Sequence, residues 1–128
     1  MLKNIISLLQ DKALYVAILF TIIIATLSFI EMPKVGISVP TSDKLSHLIA
    51  YFFLTLAWLY SIIKQPYFRS KVKYVVLGCF IYGIIIEVLQ GAITTYRTAS
   101  YLDVLANSTG ILLAFLAFYL FEKKNLSI

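Results

Sequence analysis

The residues able to do chemistry in this chain are few and concentrated. Glu87, Gln90, Arg97, Ser100, Asp103 and Asn107 fall between two long apolar runs, and Asp43, Lys44, His47 and Tyr51 open another. Carboxylates and an imidazole can share acid–base work or hold a divalent ion. Lys and Arg can engage a phosphate or carboxylate, Arg in bidentate fashion. Glu87 is the most demanding of the set, because it follows 13 uncharged residues, Tyr74 to Ile86. Taking a charge out of water is costly, so a carboxylate inside an apolar run needs a partner, a water path or a job.

The surrounding composition is that of an integral membrane protein. Of 128 residues, 61% are hydrophobic and only 13% are charged, and the mean hydropathy is +0.92. A soluble domain carries about twice that share of charge. At roughly 20 residues per span, the length suits one domain, 1–128, of four spanning helices. The net charge of +5 suits headgroups and cytoplasmic loops better than nucleic acid. No basic helix is interleaved with aromatics, so nucleic acid is not an expected partner. Cys79 is the only cysteine; it cannot form an internal disulfide and suits a small packing position.

The elements that must position the polar residues follow in order. Leu2, Ile5, Ile6 and Leu9 share a helical face, making residues 1–12 an amphipathic stretch that lies at the interface or leads into the first span. A first transmembrane helix is expected at about 13–30, where 18 residues carry no charge. A signal peptide is the alternative, but the run is long for one and no small-x-small cleavage site follows it. A loop with Pro33, Gly36 and Pro40 leads to a second helix at about 43–63, with Thr41 and Ser42 as caps and Asp43 in its first turn. The stretch Lys64 to Lys73 holds four basic residues and no acid, and reads as the most basic loop. A third helix is expected at about 72–90. Ser100-x-x-Asp103 resembles a capping box for a fourth, at about 101–121. In that helix Ala106, Gly110 and Ala114 offer a small face for close approach.

This gives an all-α integral membrane protein, an antiparallel bundle of four transmembrane helices. With four spans, both termini share a side with the 64–73 loop. Eight of the eleven basic residues fall on that side, so the positive-inside rule makes both termini cytoplasmic. The start of helix two, the end of helix three and the start of helix four then all lie on the outer side. Asp43, His47 and Tyr51 share one face; Gly83, Glu87 and Gln90 share another; Ser100, Asp103, Asn107 and Gly110 share a third. Lys44 and Arg97 stand at the same level.

Each member has a plainer use. Asp43 and Asp103 can cap helices for about 1 kcal/mol each. Lys44 can snorkel, Arg97 can anchor to headgroups, and Tyr51 and Tyr101 can serve as interface aromatics. A lone His47 is commonly a hydrogen-bonded packing residue, and Asn107 can join helices for around 0.6 kcal/mol. Convergence of three helices on one region favours a site over a set of unrelated caps.

The series Asp43-Lys44-x-x-His47-x-x-x-Tyr51, Glu87-x-x-Gln90 and Arg97-x-x-Ser100-x-x-Asp103-x-x-x-Asn107-x-x-Gly110 resembles the VanZ-like family of small bacterial membrane proteins. The resemblance covers about residues 13–121 and marks these residues as the family's polar motif. It implies an envelope role in the bacterial cytoplasmic membrane, since the founding member is linked to resistance to the glycopeptide teicoplanin.

Three functions compete. The leading one is binding or modifying an envelope lipid or lipid-linked cell-wall component. Lys44 and Arg97 would hold its anionic group, with Asp43, Tyr51, Gln90, Ser100 and Asn107 around it, while Glu87, Asp103 and His47 orient the ligand or move a proton. The second is an enzyme using Asp43, His47, Glu87 and Asp103 in acid–base or metal-assisted chemistry. No HExxH, GxSxG or Cys/His set is present, so no metal site and no cofactor is assigned. The third is structural, with Lys44–Glu87 and Arg97–Asp103 as interhelical pairs. A proton-coupled transporter is a poorer option, because four helices are few and no broken-helix pair is present.

Overall fold

The computed structural model describes residues 2–29, 40–63, 66–93 and 101–126. Four helices make it up: α1 (Leu2–Phe29), α2 (Pro40–Ile62), α3 (Phe68–Ile93) and α4 (Tyr101–Leu126). Each holds a stretch long and apolar enough to cross a bilayer: Lys12–Phe29, Lys44–Ile62, Phe68–Ile93 and Tyr101–Glu122.

The helices are longer than the hydropathy pattern alone indicates. α1 runs unbroken through the amphipathic stretch into the first span, because no Pro or Gly interrupts Leu2–Phe29. Its 28 residues extend about 42 Å, well beyond a hydrocarbon core of about 30 Å. α2 begins at Pro40, ahead of Thr41 and Ser42. Those two residues therefore lie inside its first turn rather than before it, and proline's fixed φ suits that start. α3 begins at Phe68, so Arg69, Lys71 and Lys73 are helical rather than in a loop. Lys and Arg are good helix formers whose long stems carry the charge outward. The turn before it includes Tyr67 at φ 58.

α2 packs against all three other helices, while α1 and α4 make no close approach among the described residues. Consecutive helices are antiparallel, which makes α2 parallel to α4 and α1 parallel to α3. The contacts keep step along both parallel pairs. Lys44 meets Asp103, His47 meets Asn107, and Tyr60 meets Phe118 and Phe121 edge to face. Tyr82 reaches Thr21, and Gln90 reaches Ser28.

The small face expected on α4 sets the closeness of the α2–α4 pair. A Cβ on Gly110 would lie 2.2 Å from the Leu48 carbonyl oxygen and 3.1 Å from the Phe52 nitrogen. Only glycine lets these two backbones meet so closely, and Ala114 one turn further on is completely buried. Large apolar side chains such as Ile22, Val88, Leu105 and Leu112 cover the outside of the bundle. Water would penalise such a surface; lipid does not.

Candidate functional site

The polar residues gather at the end of the bundle opposite the two chain termini. Most of them are buried: Glu87, Gln90, Asp103, Asn107 and the Tyr51 ring. They arise from the first half of α2, the last two turns of α3 and the first two of α4. The topology alone brings these segments to one level.

Two contacts join α2 to α4. The Lys44 ammonium donates to the Asp103 carboxylate. The Lys44 side chain is 35% exposed and that of Asp103 only 10%, so the cation forms the outer rim and the carboxylate the floor. One turn deeper, His47 Nδ1 and Asn107 Oδ1 are 3.1 Å apart. An amide oxygen can only accept, so in this contact His47 Nδ1 is the donor. α3 supplies the third wall. At Gly83 the side chains of Asn107 and Tyr51 come to 3.2 Å from where a Cβ would stand. Glu87 follows one turn later, 3% exposed. Donor atoms of His47, Glu87 and Asp103 lie within 4.8 Å of one another.

Not every expected member faces this cluster in the same way. The Gln90 amide donates to the Ser28 carbonyl on α1 at 2.8 Å. It therefore ties α3 to α1. Tyr51 belongs to the apolar core with Leu54, Cys79 and Ile111, its ring tilted against Tyr82 at 6.2 Å. Arg97 and Ser100 lie outside the described residues, as does the side chain of Asp43. Lys44 meets Asp103, a pair that spacing alone does not single out. Glu87 and Asp103 stand at the same level, and spacing does not choose between them.

One group of residues had no signal in the motif pattern. Trp58 donates to the Thr21 hydroxyl at 3.0 Å, and the Tyr82 hydroxyl donates to the Thr21 carbonyl at 2.6 Å. These residues border a cavity of about 310 Å³ between α1, α2 and α3, lined also by Leu54, Tyr74 and Gly78. The Tyr51–Tyr82 contact stands between this apolar cavity and the polar cluster. The available clue was Tyr82 near the middle of its span, away from the ends where interface aromatics belong; Trp58, one turn from the end of α2, reads as just such an aromatic. At the far end, Arg69 pairs with Glu122 across α3 and α4 at 2.5 Å.

The cluster sets a cation at the rim, two carboxylates and an imidazole between three helices. No solved structure matches this chain. A protein of the fission yeast Schizosaccharomyces pombe, named "Uncharacterized protein C11E3.10", is 30% identical over 120 residues, which is 92% of this chain and 69% of that protein. The sequence profile of the VanZ/LLP1 family matches residues 6–122, taking in all four spans and the whole polar cluster. The chain belongs to the VanZ/LLP1 family and is a VanZ-like multi-pass membrane protein.

Proposed function

We propose that this protein binds an anionic envelope lipid or lipid-linked cell-wall component, using the polar cluster as the headgroup site. The observation that carries the reading is Lys44 at the rim of the cluster, 35% exposed, over the buried carboxylate of Asp103. An ammonium held at headgroup depth in front of buried polar groups is suited to a phosphate or carboxylate arriving from the membrane surface. His47 and Asn107 then orient the ligand, and Glu87 with Asp103 can exchange a proton with it. Arg97, ten residues beyond Glu87 in the sequence, is the second cation for the same anion.

The bias of basic residues puts this end of the bundle on the outer face and both termini in the cytoplasm. In a bacterium the host membrane is the cytoplasmic one, and the site then meets cell-wall intermediates on their outer side. An effect on glycopeptide susceptibility, teicoplanin included, follows from that placement. The similar protein in a yeast favours the chemistry that both kinds of membrane share, a phosphate on a lipid. The test is lipid retention by the purified protein. Loss of Lys44 should remove the bound lipid from a folded protein, and unchanged retention would overturn the proposal.

A second reading is structural. The Lys44–Asp103 pair and the His47–Asn107 contact both join α2 to α4, so the cluster also holds these helices in register. Replacing both Lys44 and Asp103 by neutral residues measures the two roles separately. Recovered stability in the double variant reports the joint between the helices, and lipid binding that stays lost while stability recovers reports the binding rim.

A further inference from the structure

We infer that His47, Glu87 and Asp103 form a site for one divalent transition-metal ion of the zinc or manganese type. The inference goes beyond the lipid reading and does not depend on it. Its basis is a juxtaposition that sequence spacing does not reveal. One residue from each of α2, α3 and α4 places a donor atom within 4.8 Å of the other two, behind Lys44 and largely out of reach of solvent.

The donor chemistry narrows the ion. One imidazole nitrogen and two carboxylate oxygens suit Zn²⁺, Mn²⁺ or Fe²⁺. Calcium and magnesium prefer all-oxygen sets of six or more ligands. Bonds of about 2.1 Å put tetrahedral ligands ~3.4 Å apart, so the three donors need draw in by roughly 1 Å. The His47 side chain is already prepared for ligation. Its Nδ1 lies 3.1 Å from Asn107 Oδ1, and in the tautomer that donates there Nε2 is the nitrogen that binds the ion, as with the outer hydrogen bond of metal-bound histidines generally. Asn107 is itself wedged against Gly83, so the imidazole is braced through a packed residue.

Electrostatics point the same way. Two carboxylates brought within 4.8 Å repel each other unless a cation lies between or beside them. Lys44 gives Asp103 one such charge. A divalent ion gives two, and all three donors can touch it at once. Lys44 and the ion then compete for Asp103, and the partly exposed Lys44 side chain can swing outward when the ion binds. Three protein ligands leave at least one position open, as in catalytic rather than closed structural sites.

The test uses the full-length protein in detergent, stripped with a chelator and titrated with Zn²⁺ and with Mn²⁺ alone, without added lipid. Uptake is read by calorimetry and by elemental analysis after desalting. Wild type should retain about one ion per chain, and His47→Ala should weaken binding by tenfold or more. Lys44→Met should tighten it, because a competing cation is gone. Arg69→Ala, at the other end of the bundle, should leave it unchanged. Lys44→Met also guards against misfolding, since a gain in affinity cannot come from a collapsed site. The inference is overturned if stripped wild type takes up neither ion, or if His47→Ala and Asp103→Asn bind as well as wild type. Either of those outcomes leaves the lipid assay unaffected.

Discussion

The Lys44 ammonium rests on the Asp103 carboxylate, 59 residues away in sequence, joining the first two turns of two parallel helices. Removing one partner from a partly buried ion pair takes a counter-charge away from the other. Full burial would make that worth 3–5 kcal/mol, by general experience, and the exposure of Lys44 scales it down to about 2 kcal/mol. Asp103→Asn and Lys44→Met should therefore each lower the thermal midpoint in detergent. The double variant should recover most of the loss, since neither charge is then left alone. Additive losses in the double variant would show that the two residues act separately.

Gly110 is the tightest point of the α2–α4 contact. Its missing Cβ would sit 2.2 Å from a backbone oxygen of Leu48, and backbone cannot move aside as a side-chain tip can. Gly110→Ala should force the helices apart and disturb Lys44–Asp103 and His47–Asn107 together. The expected cost is several kcal/mol, in the range of overpacked cores. Gly78→Ala meets nothing within 4 Å and serves as the comparison. It should be neutral or slightly stabilising, because alanine is the better helix former. Equal thermal shifts for the two variants would contradict the packing described.

Gly83→Ala tests the α3 wall more gently. The new methyl would meet the Asn107 amide nitrogen and the Tyr51 ring at 3.2 Å, so each must give by a few tenths of an ångström. Stability should fall by ~1 kcal/mol, and ligand or metal affinity should fall with it, as Asn107 loses its grip on His47. A variant with reduced stability but unaltered binding would show that Asn107 does not orient the imidazole.

Trp58 is the single tryptophan of the chain and reports on the apolar cavity it lines. Its indole N–H is held by the Thr21 hydroxyl at 3.0 Å. Thr21→Val removes that acceptor, and the stability cost should be about 1 kcal/mol, within the range for interhelical hydrogen bonds in membranes. The fluorescence spectrum of Trp58 should shift in the same variant. An unchanged spectrum would mean that the indole is not held by Thr21.

How far the sequence reveals this molecule depends on which physical signal a residue carries. The four spans are legible because uncharged runs of 18 residues or more have few other uses. The convergence of His47, Glu87, Asp103 and Asn107 is legible because helix periodicity and an up-down topology place them at one level. The helix ends are less so. Arg69, Lys71 and Lys73 look like a loop by charge, yet their backbone is helical from Phe68. The Lys44–Asp103 pair is also hidden, since Glu87 and Asp103 are both within a turn or two of the right level. Gln90 shares a face with Glu87 but donates to Ser28, because three residues along a helix turn the side chain by about 60° from alignment. The Thr21, Trp58 and Tyr82 network has no motif at all. Its members sit in apolar runs where lipid-facing and inward-facing residues look alike.

The most direct test of the central proposal is native mass spectrometry of protein released gently from its membrane. Wild type would be compared with Lys44→Met, Asp103→Asn and Arg69→Ala. A defined anionic lipid should be retained by wild type and by Arg69→Ala, and lost from both cluster variants while they remain folded. Equal retention by all four proteins, or no specific lipid on wild type, would contradict it and leave the cluster as the joint between α2 and α4.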